Sequence, residues 1–535
     1  MQYHLADLFE SIVDRVPDRL ALAAAVDRED GTQDIRHLTY TQLERRANQL
    51  AHYLQSIGIG PGDHVGCHLL NGPEYVETML ACFKIRAVPV NVNYRYVDEE
   101  LHYMYDNAGL KAVVYDAELA DRVERVAAKV DSLDSMLVVG EGGIVGDAVP
   151  FEDAVAQGSP ERDFAPRSPD DLWMLYTGGT TGMPKGVMWR HEDIFFAGMG
   201  GGSPVTEPVK TPEELAQRVD PEGFQMAMFA APPLIHGAAQ LGTFITFWAG
   251  SKCCLIRKYS GHGALQLIET EKINTISIVG DAMAIPLIEA LEERDYDTSS
   301  LFVISTAGAI MSKTVRDRLT QLLPNVGILD SFGSSETGYN GSEAEGSSPD
   351  QGLKFKMTDR TAVISDAGRL IEPGSDEVGR VGQRGHIPLG YYNDKDKTAE
   401  TFVEIDGERW VLMGDAAHVD AEGIIHVLGR GSVCINSGGE KIFPEEVESA
   451  LKSHPDIVDA VVAGVPDDRW GERVAAVIQV REGAAPPSQA DVEDHLASRV
   501  ARYKIPRSLR VVESMQRSPA GKPDYKWART IVAGN

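Results

Sequence analysis

Residues 176–187 read Tyr-Thr-Gly-Gly-Thr-Thr-Gly-Met-Pro-Lys-Gly-Val, and their types and spacing suit chemistry on an anion. Glycines at 178, 179, 182 and 186 are interleaved with the hydroxyls of Thr177, Thr180 and Thr181, and a cation follows at Lys185. Glycine lets successive backbone N–H groups turn into a concave nest, while hydroxyls and an ammonium close around phosphate oxygens. Lys185 follows Pro184 instead of the second glycine of G-x-x-x-x-G-K-[ST], so a P-loop NTPase is not implied. The loop is expected to bind phosphate.

This segment resembles the phosphate loop of the adenylate-forming enzymes, the superfamily of acyl-CoA synthetases, luciferases and peptide-synthetase adenylation domains. The resemblance extends along nearly the whole chain. It implies ATP, Mg²⁺ and CoA, with Thr177, Gly178, Gly179, Thr180, Thr181, Gly182 and Lys185 around the nucleotide and Thr181 and Lys185 among the catalytic groups. In Asp330-Ser-Phe-Gly-Ser-Ser-Glu336-Thr-Gly, it places Phe332 against adenine, beside Gly333 and the hydroxyl of Ser335. Phenylalanine stands there where the family more often has tyrosine. Glu336 is the implied Mg²⁺ ligand and a catalytic residue, hard carboxylate oxygen being suited to that ion. A helix N-cap is the other reading of Ser-Ser-Glu-Thr-Gly. Upstream, Ala307 and Gly308 are small enough for backbone to approach a base closely.

Gly414-Asp415 matches the family's ribose-binding pair, although Leu412-Met413 precede it in place of the usual Arg-Thr, and Arg430 would also reach the ribose. Lys522, in Gly521-Lys-Pro523, matches the lysine that grips the carboxylate and α-phosphate during adenylation. A positioned cation there answers the charge that builds on pentacovalent phosphorus. Ser437, Gly438, Gly439 and Glu440 resemble the segment that lets the pantetheine arm of CoA pass, and Lys441, Arg473 and Lys504 are candidates for the CoA phosphates. His236 and Asp281 are candidates for an acyl pocket; a buried histidine satisfied by backbone is the alternative for the first. The glycines at 198, 200, 201 and 202 are compatible with a roomy pocket.

The implied reaction is acid:CoA ligation through an acyl-adenylate, with similarity to bacterial ligases for fatty acids and sterol side chains. An adenylating enzyme serving a carrier protein is a second reading, although the aspartate that usually pairs with an amino-acid amine is absent near His236. A luciferase-like oxidation is possible on the implied fold, but no residue calls for it. A non-catalytic nucleotide-binding scaffold would be expected to lack Lys185, Glu336 or Lys522, and all three are present.

Behind these residues, the elements read as α/β layers. Short apolar runs at 112–115, 135–139, 275–279 and 302–305 read as buried parallel strands between amphipathic helices. Leu43, Leu50 and Leu54 recur at helical spacing behind a capping box expected at Thr41–Glu44. A large N-terminal domain of mostly parallel sheets covered by helices is expected over residues 1–429. A small, mobile α+β domain is expected over 430–535, with strands near 457–465 and 473–481 and a capping box at Ser488–Asp491. The stretch 341–351 reads as a polar loop.

With 535 residues the chain is long enough for several domains, and its formal charge of −29 argues against nucleic acid or an anionic membrane as the main partner. Any site for ATP must therefore be basic against the global field. Five cysteines without metal-ligand spacing suit a reducing compartment, and the acidic N-terminus is not a signal peptide. The uncharged stretch 230–250 contains Pro232, Pro233, His236 and Gln240, so it reads as strand, loop and helix, with no membrane span. A cytoplasmic enzyme acting on a small carboxylic acid is expected, and a homodimer is one assembly the sequence allows.

Overall fold

The structure is a computed structural model that describes all residues but 29, 178–182, 309–310, 312, 343–353, 431–432, 438–439, 468–470, 498, 518–522 and 535. The side chains of Phe332, Asn340, Ser342, Arg430, Asn436, Glu440 and Lys441 also lie outside the description.

The described strands form four sheets. The first has eight strands, and its six inner ones run parallel in the order Gly327–Ser334, Val303–Thr306, Thr275–Ile278, Ala227–Ala230, Lys252–Ile256, Leu20–Asp27. Antiparallel strands Gly338–Ser342 and Gln33–Thr39 close its edges. The second sheet also has eight strands, parallel from Val149–Pro150 through to Leu172–Thr177. It ends in the antiparallel strands Lys185–Arg190 and Gly390–Tyr391. Helices cover both sheets, and one apolar core spans them, with Phe9, Leu50, Phe83, Trp173, Trp189 and Phe247 almost wholly buried.

The expected parallel strands are present as Leu110–Asp116, Ser135–Val139, Thr275–Ile278 and Val303–Thr306. Phe302 precedes the last of these and is exposed, outside the expected buried run. The third sheet departs from the layered expectation. It has six strands, all antiparallel, between Lys354 and Arg430. The fourth, five-stranded sheet lies between Ile435 and Val512 and pairs Ile457–Asp467 with Gly471–Val480. Two clusters of its own, one around Val447, Val462 and Ile478 and the other around Val461, Ala475 and Ala528, fill its faces. The chain is therefore α/β, with a large layered part and a small α+β part at its C-terminal end.

The helix Tyr40–Ser56 begins earlier than expected. Thr39 caps it, and the box closes with Thr39 Oγ1 accepting from the Gln42 amide and Gln42 Oε1 accepting from the Thr39 amide. Thr41 and Glu44 have the same spacing but other partners: Thr41 Oγ1 donates to the Pro17 carbonyl, and Glu44 is buried against Lys84 and Arg162. The box at Ser488–Asp491 forms as expected. The stretch 230–250 is the end of one strand, a loop and the helix Gly237–Trp248. Among the described residues, no helix is long and apolar enough to cross a membrane.

Candidate functional site

Strands Leu172–Thr177 and Lys185–Arg190 pair with Thr177 opposite Lys185 and Tyr176 opposite Gly186. Thr177 and Lys185 thus close the base of the hairpin that carries Gly178, Gly179, Thr180, Thr181 and Gly182, which lie outside the described residues. The Lys185 ammonium is paired with the Asp394 carboxylate and lies 5.9 Å from the centroid of the Tyr391 ring. Tyr391 is there because Gly390–Tyr391 extends the same sheet with Tyr391 opposite Val187. Val187 and Lys185 are two apart on one strand, so both side chains share the Tyr391 face.

Glu336 lies in the turn between strands Gly327–Ser334 and Gly338–Ser342, where Ser334 pairs with Gly338. The segment is a hairpin turn, so the alternative helix N-cap is not what forms. Three bonds from other elements hold the turn. The Tyr391 hydroxyl donates to Glu336 Oε1 at 2.9 Å, Trp189 Nε1 donates to the Ser335 carbonyl at 2.8 Å, and Gln383 Nε2 donates to the Thr337 carbonyl at 3.1 Å. Gly338 has φ +70°, and a Cβ there would lie 2.7 Å from the Ala197 backbone. Only glycine allows this close seating of the turn on the helix His191–Met199.

Burial pushes the Tyr391 hydroxyl's pKa well above its ordinary range, and the Glu336 carboxylate adds to the shift. The phenol therefore remains a donor. Asp394 is held below the usual carboxylate range by its bond to Lys185 and next by the Lys397 amide. Lys185 and Glu336, a cation and a carboxylate far apart in the chain, thus meet at one tyrosine.

The remaining candidates lie mainly at the carboxyl ends of the first sheet's parallel strands, where open α/β sheets bind ligands. Ala307 and Gly308 follow Val303–Thr306, and the Ala307 amide donates to the Ile278 carbonyl at 3.2 Å. Gly333 lies near the end of the adjacent strand. Asp281 is buried in the first turn of Gly280–Glu293, a favourable place for an acid at a helix N-terminus. His236 is half-buried at the N-cap of Gly237–Trp248, on the loop that leaves the neighbouring strand Ala227–Ala230. Its backbone accepts from the Ala239 amide, but its side chain makes no capping bond.

Asn91 joins this loop to the glycine hairpin. It is 6 % exposed, accepts from the Tyr176 amide at 2.7 Å, and donates to the carbonyls of Tyr176 and Ile235 at 2.8 and 2.6 Å. Gln240 makes a second tie, accepting from Trp173 Nε1 and donating to the Leu234 carbonyl. Asn91 and Asp394 do not stand out in the sequence. Their one sequence signal is a polar group beside otherwise apolar strands.

Elsewhere, Asp415 and Arg430 face one another in register on strands Glu408–Val419 and Ile424–Arg430. Ser437 is buried at the end of Ile435–Ser437, opposite Glu440. The side chains of Phe332, Arg430 and Glu440, and the whole of Gly438, Gly439 and Lys522, lie outside the described residues. The flanks of the Lys522 segment meet in a bridge between Arg517 and Pro523. Lys504 donates to both oxygens of Glu446 at 2.7 Å. A Cβ on Gly198, Gly201 or Gly202 would lie within 3 Å of Leu241, Pro208 or Leu215 respectively, so neighbouring side chains fill the space each glycine leaves.

The family model described as AMP-binding enzyme matches residues 9–392, and that of the AMP-binding enzyme C-terminal domain matches residues 446–522. The chain is 46% identical over 545 residues to the 3-oxocholest-4-en-26-oate–CoA ligase of Rhodococcus rhodochrous, covering 99% of this chain and 96% of the relative. It is 45% identical to the medium/long-chain-fatty-acid–CoA/3-oxocholest-4-en-26-oate–CoA ligase of Mycolicibacterium smegmatis, over 99% of this chain and 97% of that one. The crystal structure of the anthranilate CoA ligase AuaEII in complex with anthranoyl-AMP has the same fold, with a TM-score of 0.82, 24% identity and coverage of 98% and 96% of the two chains.

Proposed function

The chain belongs to the AMP-binding enzyme family, and from that premise we propose that it is an ATP-dependent acid:CoA ligase. It converts a carboxylic acid, ATP and CoA into acyl-CoA, AMP and diphosphate through an acyl-adenylate. Its acid is a medium- or long-chain fatty acid or a bulky one such as a sterol side-chain acid. The observation that carries this reading is full-length likeness to ligases named for those two acid classes.

In the first step a carboxylate oxygen of the acid attacks the α-phosphorus of ATP, and diphosphate leaves. Thr177, Gly178, Gly179, Thr180, Thr181, Gly182 and Lys185 cradle the leaving phosphates, while Lys522 holds the carboxylate and the α-phosphate. Phe332, Gly333 and Ser335 with Ala307 and Gly308 seat the adenine, and Asp415 and Arg430 the ribose. Glu336 fits Mg²⁺: it is half-buried, and one oxygen is fixed by Tyr391 while Oε2 accepts no bond among the described residues. Bound there, the ion would offset phosphate charge.

In the second step the CoA sulfur attacks the acyl carbon and AMP leaves, with Ser437, Gly438, Gly439 and Glu440 along the pantetheine path. His236 and Asp281 border the acyl pocket. Positioning and electrostatics supply most of the catalysis. Residues 1–429 and 430–535 act as two domains, the second reorienting between steps, in a cytoplasmic enzyme.

The test is diphosphate release with MgATP and CoA across acetate, octanoate, laurate, palmitate, benzoate, a steroid side-chain acid and several amino acids. Thioester formation with a fatty or steroid acid is expected. An acyl-adenylate that never passes to CoA would point to a carrier protein as acceptor. Absence of any acid-dependent diphosphate would leave a nucleotide-binding scaffold.

A further inference from the structure

Lys185 already holds an anion of this chain. Its ammonium is paired with Asp394 Oδ2, and the other carboxylate oxygen, Oδ1, accepts from the Lys397 amide at 2.9 Å as the cap of helix Lys395–Thr401. The carboxylate is held from two sides, because Tyr392 donates its amide to the Gly186 carbonyl at 2.8 Å and so anchors the preceding strand beside Lys185. Asn393, with φ +54°, turns the chain between that strand and the cap, and its side chain donates to the Asn107 carbonyl at 3.1 Å. An aspartate is not needed for the cap alone, since asparagine and serine cap helices as well. What aspartate adds is a charge, directed at the lysine beside the glycine loop.

We propose that Asp394 is an internal counter-ion for the phosphate-loop lysine, occupying Lys185 until a polyphosphate displaces it. The proposal rests on the reading of Lys185 as a phosphate ligand. The exchange is feasible because the pair is loose: the two side chains are 34% and 30% exposed, and ion pairs this accessible to water hold weakly. The Tyr391 ring, 5.9 Å from the ammonium, keeps the lysine in place whichever anion it meets. Before ATP arrives, the pair keeps this cation in a strongly acidic protein from drifting to another carboxylate. When ATP binds, the ammonium passes from one carboxylate to phosphate oxygens carrying more charge. Asp394 remains as the cap of its helix, so no backbone rearrangement is needed.

The experiment measures binding of ATP with Mg²⁺ to the full chain by isothermal titration calorimetry, without acid or CoA. It compares wild type, Asp394→Asn, Lys185→Met and the double variant. Asp394→Asn keeps the cap and the fold and removes the competing charge, so it is expected to bind about 2- to 5-fold more tightly, less so at high salt. Asp394→Ser, another neutral cap, should behave alike and guards against an effect particular to asparagine. In the Lys185→Met background the gain should vanish. An unchanged or weaker affinity in both Asp394 variants would overturn the proposal. A gain that persists without Lys185 would also overturn it, since the carboxylate would then be repelling phosphate directly. If Lys185→Met alone binds as wild type does, the phosphate reading of Lys185 fails and takes the proposal with it. Weakened binding in Lys185→Met with no gain in Asp394→Asn would refute the counter-ion alone.

Discussion

Tyr391→Phe tests whether Glu336 is held in its working orientation by one hydrogen bond. The substitution keeps the ring, and with it the 5.9 Å edge contact to Phe402 and the position over Lys185. It leaves the backbone pairing of Tyr391 with Val187 intact. What it deletes is a donor 2.9 Å from Glu336 Oε1, together with a side-chain hydrogen bond to Thr401. Hydrogen bonds to charged groups contribute roughly 1.5–3 kcal/mol net. At about 1.4 kcal/mol per tenfold, that range corresponds to roughly 10- to 100-fold in any step that needs the oriented carboxylate. Because Glu336 is half-buried, water can replace part of the lost bond, which favours the lower end. The assay is acid-dependent ATP–diphosphate exchange against Mg²⁺ concentration. The expected result is a 10-fold or larger fall at limiting Mg²⁺, partly recovered at high Mg²⁺, with thermal stability nearly unchanged. Exchange within twofold of wild type at every Mg²⁺ concentration would refute the idea that Tyr391 orients Glu336. A fall that Mg²⁺ does not relieve would separate the tyrosine from the carboxylate.

Further outcomes follow from burial, hydrogen bonding and charge. Burial, with Glu445 adding to it, pushes the buried Glu448 carboxyl up to about 8, so the wild-type fold favours the protonated form and loses stability as pH rises from about 4.5 through about 8. Glu448→Gln should therefore gain on wild type by roughly 1.4 kcal/mol per pH unit across that window, read from hydrogen exchange at the Val462 amide that Glu448 accepts; a flat difference would contradict the shift. Lys84 is fully buried between Glu10 and Glu44 at 2.7 and 2.8 Å, so Lys84→Met should cost about 3–5 kcal/mol in urea unfolding. Burial alone would raise Glu10, but Lys84 and Arg167 outweigh it and hold the carboxyl at about 2, so stability from this pair is present above about 4.5 and lost as pH falls towards 2. Asn91→Leu strands the buried Tyr176 and Ile235 backbone groups and should lower stability by about 2–4 kcal/mol and weaken ATP binding in calorimetry. Lys522→Ala should slow acid-dependent ATP–diphosphate exchange by roughly 10²- to 10³-fold, and a near-normal rate would remove that lysine from the mechanism.

The local pattern of the site was legible, and its closure was not. Glycines, hydroxyls and a lysine within ten residues point to a phosphate loop because such a nest would be built from consecutive backbone. The Thr177–Lys185 register follows from that hairpin. Tyr391 and Glu336 are 55 positions apart, and Lys185 and Asp394 are 209 apart, distances over which spacing carries no information. Asn91 looks like the end of a four-residue apolar strand, and only the folded sheet shows that it faces two loops. The misplaced capping box has a similar origin: Thr39–Gln42 and Thr41–Glu44 have the same spacing. The choice was made by Lys84, which needs Glu44 buried beside it. The antiparallel sheet within 354–430 was missed because its strands lie between turns, with one short helix, Lys395–Thr401, where alternation with helices had been expected.

These ties explain how separate loops can serve one reaction. The glycine hairpin is held at its base by Asn91, which also holds the His236 loop. The Glu336 turn is held by Trp189 from the hairpin's second strand and by Tyr391 from the strand beside it. Lys185 begins that second strand, so the lysine, the carboxylate and the His236 loop are all referred to the second sheet. The first sheet supplies the Glu336 turn, the Ala307–Gly308 turn and the Asp281 helix from the ends of its parallel strands. A ligand reaching from the glycine loop to Glu336 therefore spans the join between two sheets. Relative movement of the sheets would misplace its contacts. The large shared core that locks the sheets together thereby preserves site geometry as well as stability.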